Sequence, residues 1–408
     1  MNALTNTKRL QLALLLGSLS ILGPFTIDMY LPSFPTIVEE FQTNASLVQI
    51  SLTTCLLGLG LGQLIIGPMS DVQGRRKPLL IFLGLYLLSS LTCAVAPNIY
   101  VLIVSRFIQG FAAAGGLVIS RAIVRDLYSG RELTKFFATL MLVGNLGPIV
   151  APVMGGAILS FANWNVVFVV LACVSLVLIL TISFKLEETL PTERRIPSNF
   201  KQVVGNFGSL LKDREFTGYA FAQGFTIAGI FAYVSGIPFV YQNIYGVSPQ
   251  VFSFLFGLNG FGLIMGTQIV GRVSVVSEKT FLKIGLTISN SAAISLLIAL
   301  LLKAPLVAVA IPIFFLVTSI SIIATSSFAL AIETKGHIAG SASALLGVLP
   351  FLLGSLTAPL AGIAGEHTAI PMGIVIFCGS FLAFLSYFVL ARKAPIKIEE
   401  AKQVVNNN

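Results

Sequence analysis

Only 10% of the 408 residues are charged, 16 acidic and 25 basic. Soluble domains carry about 25% charged residues, so most of this chain sits in lipid or packs inside something that does. Histidine is nearly missing. The two copies, His337 and His367, fall in expected loops, which argues against a haem pair inside a helical bundle. The four cysteines (Cys55, Cys93, Cys173, Cys378) lie within apolar runs and have no metal-ligand spacing, so they read as small apolar filler. No G-x-x-x-x-G-K-[ST] phosphate loop occurs, so no ATP site is expected. Neither a metal nor any other cofactor is expected, and enzymatic chemistry has no candidate residues.

What is abundant is apolar sequence, 56% of the chain, together with 37 glycines. Small residues let membrane helices approach closely. Twelve apolar stretches are long enough to cross a hydrocarbon core of ~30 Å at ~1.5 Å per helical residue. They cover 11–33, 46–69, 79–96, 99–121, 136–160, 165–184, 217–239, 249–271, 280–301, 305–328, 338–363 and 369–391. The first follows Lys8 and Arg9 as a signal peptide would. No small-x-small cleavage site ends it, so an uncleaved first span is expected. An all-α integral membrane protein follows.

The net charge of +9 could suggest nucleic acid, but the basic residues stand in short clusters between the spans. With the N-terminus inside, all of the 25 but Lys303 and Arg106 fall in inside segments. That is the positive-inside pattern of a multi-pass protein of the cytoplasmic membrane with both termini cytoplasmic. The expected partners are the lipid bilayer, a small-molecule substrate and protons, with no nucleic acid.

The polar stretch from Lys185 divides the spans six and six: a first half over 1–184, a cytoplasmic linker over 185–216 and a second half over 217–408. The halves resemble each other. Gly58, Gly62 and Gly67 recur as Gly262, Gly266 and Gly271, and Ala151-Pro152-x-x-Gly155 recurs as Ala358-Pro359-x-x-Gly362. Paired six-helix halves point to a cavity between them and to alternating access.

Two charges fall inside spans. Asp28 interrupts span 1 about five residues from its outer end, and Arg106 lies about seven residues into span 4 from the same surface. They share one depth and could pair directly or through a network. Two readings stay open: a structural ion pair, or a proton or substrate site, since intramembrane acids mark such paths. Tyr30 and Phe25 on span 1 and Asn145 on span 5 would add an aromatic, largely apolar pocket beside Asp28. In span 5, Pro148 and Pro152 each lack a backbone donor, and Gly147, Gly155 and Gly156 loosen the helix. That makes either a packing kink or a hinge or seal between the halves.

These residues carry a resemblance. Gly67-Pro68-Met69-Ser70-Asp71-Val72-Gln73-Gly74-Arg75-Arg76-Lys77 resembles the span 2–3 loop signature of the major facilitator superfamily. Arg106-Phe107-Ile108-Gln109-Gly110 resembles its span 4 motif, and Gly147 to Gly156 its antiporter motif. Asp28-Met29-Tyr30-Leu31-Pro32 and Arg121-Ala122-Ile123-Val124-Arg125-Asp126 are similar to the Bcr/CflA drug-resistance branch. The resemblance implies twelve helices in two pseudo-symmetric halves, a monomer, and proton-coupled export of drugs with Asp28 and Arg106 at the core of coupling. It also implies a cytoplasmic gate of Gly67, Asp71, Arg75 and Arg76, in which the acid meets a helix end of the second half. Gly67 would permit close approach there. Val72 and Asn165 depart from the family pattern, which has arginine at both places. Two rivals are an exporter of one endogenous metabolite on the same fold and a membrane scaffold without transport. The buried charges argue against the scaffold.

Overall fold

The computed structural model describes residues 6–195, 200–273, 275–333, 335 and 339–391. The tail cations Arg392, Lys393, Lys397 and Lys402, and His337, lie outside the described residues. The chain is all-α. The first half holds α1 (Asn6–Asp28), the short α2 (Phe34–Glu40), α3 (Ala45–Gln73), α4 (Arg76–Ala94), α5 (Ile99–Leu127), α6 (Gly130–Ile158) and α7 (Asn165–Lys185). After α8 (Phe200–Lys212) come α9 (Arg214–Phe239), α10 (Pro249–Arg272), α11 (Glu278–Leu301), α12 (Leu306–Glu333), α13 (Ala339–Thr357) and α14 (Ile370–Leu385).

Helices are the form this composition requires, because hydrocarbon offers no partner for an unbonded peptide group. Their starts are set by side chains. Asn44, Asn98, Asp213, Ser248 and Ser277 each accept from a backbone N–H three residues on. Among the described residues, eleven helical segments are long and apolar enough to cross a membrane. A twelfth, the apolar stretch Val143–Ile158, is shorter and lies within α6.

Three features differ from the expected spans. First, α5 runs to Leu127 and α6 starts at Gly130, so Arg121 and Arg125 are helical rather than in a loop. Backbone hydrogen bonding does not stop where apolar sequence does, and the helix continues until Tyr128 turns extended. Second, the polar linker contains α8, whose Phe207 and Leu210 pack against the second-half core. Third, the first crossing is interrupted. It extends from Gln11 to Glu40, but α1 ends at Asp28, a 3-10 turn follows at Leu31–Ser33, and α2 resumes at Phe34. Pro32 and Pro35 stand at the starts of these two elements. A proline accepts a first-turn position because no helical donor is needed there. Asp28 therefore sits at a break in the helical run rather than inside a continuous helix.

In the first half α5 packs on α1, α3 and α4. In the second, α9 packs on α12, α13 and α14. The halves meet along α6 with α10 and along α3 with α13.

Candidate functional site

Asp28 is the last residue of α1 and only 6% exposed. Among the described residues its carboxylate has neither a hydrogen bond nor an ion pair. A carboxylate in that setting is costly unless something arrives to pair with it. The main chain just beyond it is pinned. The turn packs on α6, α9 and α10. Gln242 of the second half donates to the Pro32 oxygen at 3.2 Å, and the Phe34 and Phe239 rings meet at 5.8 Å across the two halves.

Arg106 is fully buried, and it does not pair with Asp28, as the shared depth had suggested. Its Nη1 donates to Gln109 Oε1 at 2.5 Å and its Nη2 to the main-chain oxygen of Thr26 at 2.7 Å. The guanidinium carbon lies 4.2 Å from the Tyr30 ring centroid and 5.6 Å from that of Phe168. Gln109 passes the network on to Ser90 at 2.8 Å. Thr26 is in the last turn of α1, where carbonyls lack helical donors, and a cation suits that end of the helix dipole. Arg106 is thus a helix cap inside the first half. Its Nε keeps no partner.

Tyr30 was expected to line a pocket. It is 1% exposed, covered by Arg106, Phe34 and Phe168, with its hydroxyl 3.2 Å from Ser51 Oγ. In this structure that packing leaves no face of Tyr30 open. Phe25 is half-buried against the core. Asn145 is half-buried on α6, and among the described residues its side chain makes no hydrogen bond.

The loop after α3 forms a clasp within the first half. Arg75 is 3% exposed. Its Nη1 lies 2.6 Å from Asp71, its Nε 2.7 Å from Asp126, and Nη1 also donates to Ser70 at 2.8 Å. Burial alone would disfavour its charge, but the two carboxylates outweigh burial and push its pKa up. Glu188, just beyond α7, accepts from the main-chain N–H groups of Arg75 at 2.7 Å and Arg76 at 3.1 Å. It caps the start of α4, and its pKa is lowered: burial pushes it up, but these amides and nearby Arg195 prevail. Gly74, at φ +91°, makes the turn, and a Cβ there would lie 2.6 Å from Glu188 Oε2. Arg76 Nη2 reaches the Ser183 oxygen at 2.5 Å. Asp71 thus bonds within its own half here rather than to a helix end of the second. Gly67 is also not a point of close approach, since a Cβ would meet Val118 at an ordinary 3.4 Å.

The antiporter-like stretch is a packed surface. The helix runs unbroken through Pro148 and Pro152. A Cβ on Gly147 would lie 2.5 Å from Pro24, and one on Gly155 would lie 1.9 Å from the Met29 oxygen, both in the first crossing. Gly156 faces the other half, where a Cβ would lie 2.3 Å from Ser253 Oγ. Its duplicate region does the same. A Cβ on Gly362 would lie 1.9 Å from Gln49 Oε1, and Ser46 donates to the Gly362 oxygen at 2.9 Å. Gln49 Nε2 reaches the Ser235 oxygen at 3.2 Å, and Gln250 Nε2 the Gly156 oxygen at 3.4 Å. These contacts lie at the end opposite the basic loops.

Sequence reasoning missed Gln49 and Glu188, and named Gln109 only within a motif. Gln49 and Gln109 are polar side chains inside apolar spans, and that was the available signal.

Comparison with known proteins agrees with this architecture. A family model described as Major Facilitator Superfamily matches residues 16–359. The chain is 54% identical over 392 residues to an uncharacterized MFS-type transporter, YdgK, of Bacillus subtilis, covering 95% of this chain and 97% of that one. It is 34% identical over 381 residues to a bicyclomycin resistance protein homolog of Haemophilus influenzae, covering 93% and 96%. Among solved structures it is similar to the xylose transporter XylE from E. coli in a partially occluded inward open conformation. That match has a TM-score of 0.74 at 15% identity and covers 96% of this chain and 98% of the other.

Proposed function

The chain belongs to the major facilitator superfamily, and we propose that it is a proton-coupled antiporter exporting drugs or other small amphipathic compounds by alternating access. It is a multi-pass membrane transporter, not an enzyme. The observation that carries the finer reading is Asp28: a buried carboxylate at a helix break between the halves, with its expected partner Arg106 bonded elsewhere. A site that leaves an acid unpaired suits a group that alternately takes a proton and a substrate. The half-buried, unbonded Asn145 supplies a polar anchor in apolar surroundings, which suits varied amphipathic ligands. Similarity to a bicyclomycin resistance protein homolog supports the same class of cargo.

On this reading the clasp of Arg75, Asp71, Asp126 and Glu188 is cytoplasmic, as are both termini, and the positive-inside pattern of the basic residues supports it. On that reading the packed contacts of Gly156 and Gly362 lie on the outer side. In the alternate state Asp71 would exchange Arg75 for a helix end of the second half. One proton moving through 100 mV supplies ~2.3 kcal/mol, and tenfold accumulation requires ~1.4, so one proton supports roughly 40-fold accumulation.

The test is Asp28→Asn in proteoliposomes with an imposed pH difference, using a cationic dye and a chloramphenicol-like neutral drug. The variant should fold and bind, yet fail to build a gradient of either compound. Wild-type rates from Asp28→Asn would refute the coupling role. Transport of a single metabolite and of neither drug by the wild-type protein would favour a one-substrate exporter.

A further inference from the structure

Among the described residues, four hydrogen bonds cross from one half to the other, and all lie at the end opposite the basic loops. Ser46 Oγ donates to the Gly362 oxygen at 2.9 Å and Gln49 Nε2 to the Ser235 oxygen at 3.2 Å. Gln242 Nε2 donates to the Pro32 oxygen at 3.2 Å and Gln250 Nε2 to the Gly156 oxygen at 3.4 Å. Each runs from an uncharged side chain to a main-chain carbonyl. Further along, the halves touch through apolar groups, Gly60 against Phe351 and Gly260 against Ile149. At the basic end, Arg75 pairs with Asp71 and Asp126 inside the first half, and Lys335 pairs with Asp213 beside the second.

Two of the crossing contacts are copies of one another. The shift in numbering that carries Gly58 to Gly262 also carries Ser46 to Gln250 and Gln49 to Ser253. Gly362 closes one copy of the Ala-Pro-x-x-Gly segment, and Gly156 directly follows the other. Equivalent positions therefore clasp the start of α3 to the 3-10 turn after α13, and the start of α10 to the last turn of α6. The copies differ in what they bond. Gln49 is 1% exposed, and its amide also ties α3 to α9. Ser235 in turn donates to the Ala358 oxygen at 3.0 Å, so α9 and the Gly362 turn are held together. In the other copy Ser253 directs its hydroxyl to the Pro249 oxygen of its own helix at 2.7 Å. Gln250 is exposed, so water competes for its one long bond. A hydrogen bond in a buried setting is stronger than one that water can replace.

We propose that Gln49 is the principal latch between the halves, the stronger of two duplicate clasps, and that it sets how often this end of the transporter opens. The weakness of the second copy comes down to one position: Gln49 reaches across, whereas the Ser253 hydroxyl returns to its own helix. Both clasps are neutral, so their release separates no ions. The inference rests on reading the chain as an alternating-access transporter, and it adds which side chain holds this end shut.

The test uses purified full-length protein with the four native cysteines replaced and nitroxide labels on Glu39→Cys and His367→Cys. Both positions are exposed, at this end, on opposite halves. Pulsed electron resonance measures the distances between the labels, without substrate or pH gradient. Gln49→Met keeps the length of the side chain and removes the donor. The ratio of long to short distances should rise about fivefold over the labelled parent, the scale of one buried hydrogen bond. Gln250→Met should raise it by under about twofold, and Ser253→Ala not at all. Gly156→Ala combined with Gly362→Ala, which forces both clasps apart by bulk, reports whether this end can open. Thermal unfolding establishes that each variant is folded. An unchanged distribution in folded Gln49→Met overturns the proposal, as does an equal or larger rise in Gln250→Met. If the glycine variant opens and Gln49→Met does not, the latch alone fails. If neither opens, the alternating-access reading fails with it.

Discussion

Arg106 Nη2 donates to the main-chain oxygen of Thr26 at 2.7 Å, two residues before the Asp28 carboxylate that it leaves unpaired. The cation therefore holds the end of α1 rather than neutralising the acid at that end. This fixes where Asp28 stands and leaves its carboxylate without a bonded cation.

Arg106→Ala should destabilise the protein by about 3 kcal/mol, since it strips the Thr26 carbonyl and Gln109 of a charged donor. Arg106→Lys keeps the charge but cannot bond both while lying over Tyr30, so it should lose about half as much. Thermal unfolding in detergent measures both. Stability equal to wild type in Arg106→Ala would rule out the cap.

Gly156→Ala should loosen the seal between the halves. A Cβ 2.3 Å from Ser253 Oγ forces α6 and α10 apart, at about 1–3 kcal/mol. Gly362→Ala should do the same against Gln49. The readout is reactivity of a cysteine placed at Ser46, which should rise several-fold. Gly144→Ala is the control. Its Cβ would meet nothing within 4 Å, so reactivity should stay put and helix stability should gain up to ~1 kcal/mol.

The Glu188 clasp should depend on pH in the acid range. Its folded pKa is depressed below the ordinary 4.5. Its contribution is therefore present above the unfolded value and is lost as pH falls below about 4.5 through the folded one. Glu188→Gln should abolish that dependence. At neutral pH it should lower hydrogen-exchange protection of the Arg75 and Arg76 amides by about fivefold, near 1 kcal/mol for a solvent-screened cap. Protection in Glu188→Gln that still falls between pH 5 and pH 3 would assign the effect to another carboxylate.

Orientation follows from cysteines placed at Glu193 and Asn243 after replacement of the four native cysteines. Both positions are exposed, and they lie at opposite ends of the bundle. An impermeant maleimide on intact cells should label Asn243→Cys and spare Glu193→Cys. The reverse would invert the topology.

The sequence by itself determined the helical membrane fold, because long apolar runs in lipid have only one way to satisfy their backbone. It also determined which residues are exceptional. A single acid and a single base interrupt those runs, and they can be found without any contact being known. The clasp was half legible: Asp71 and Arg75 sit four apart on one motif, but Asp126, though part of another quoted motif, and Glu188 come from distant segments, and nothing local ties either to Arg75. Tertiary structure alone decided the pairings. Depth read along a helix says how far down a residue lies and nothing about its direction. Asp28 and Arg106 share a depth by sequence, yet Arg106 bonds to Gln109 and to the Thr26 carbonyl and not to the Asp28 carboxylate. Tyr30 and Phe25 were indistinguishable as aromatic neighbours of Asp28, and packing buried one behind the site.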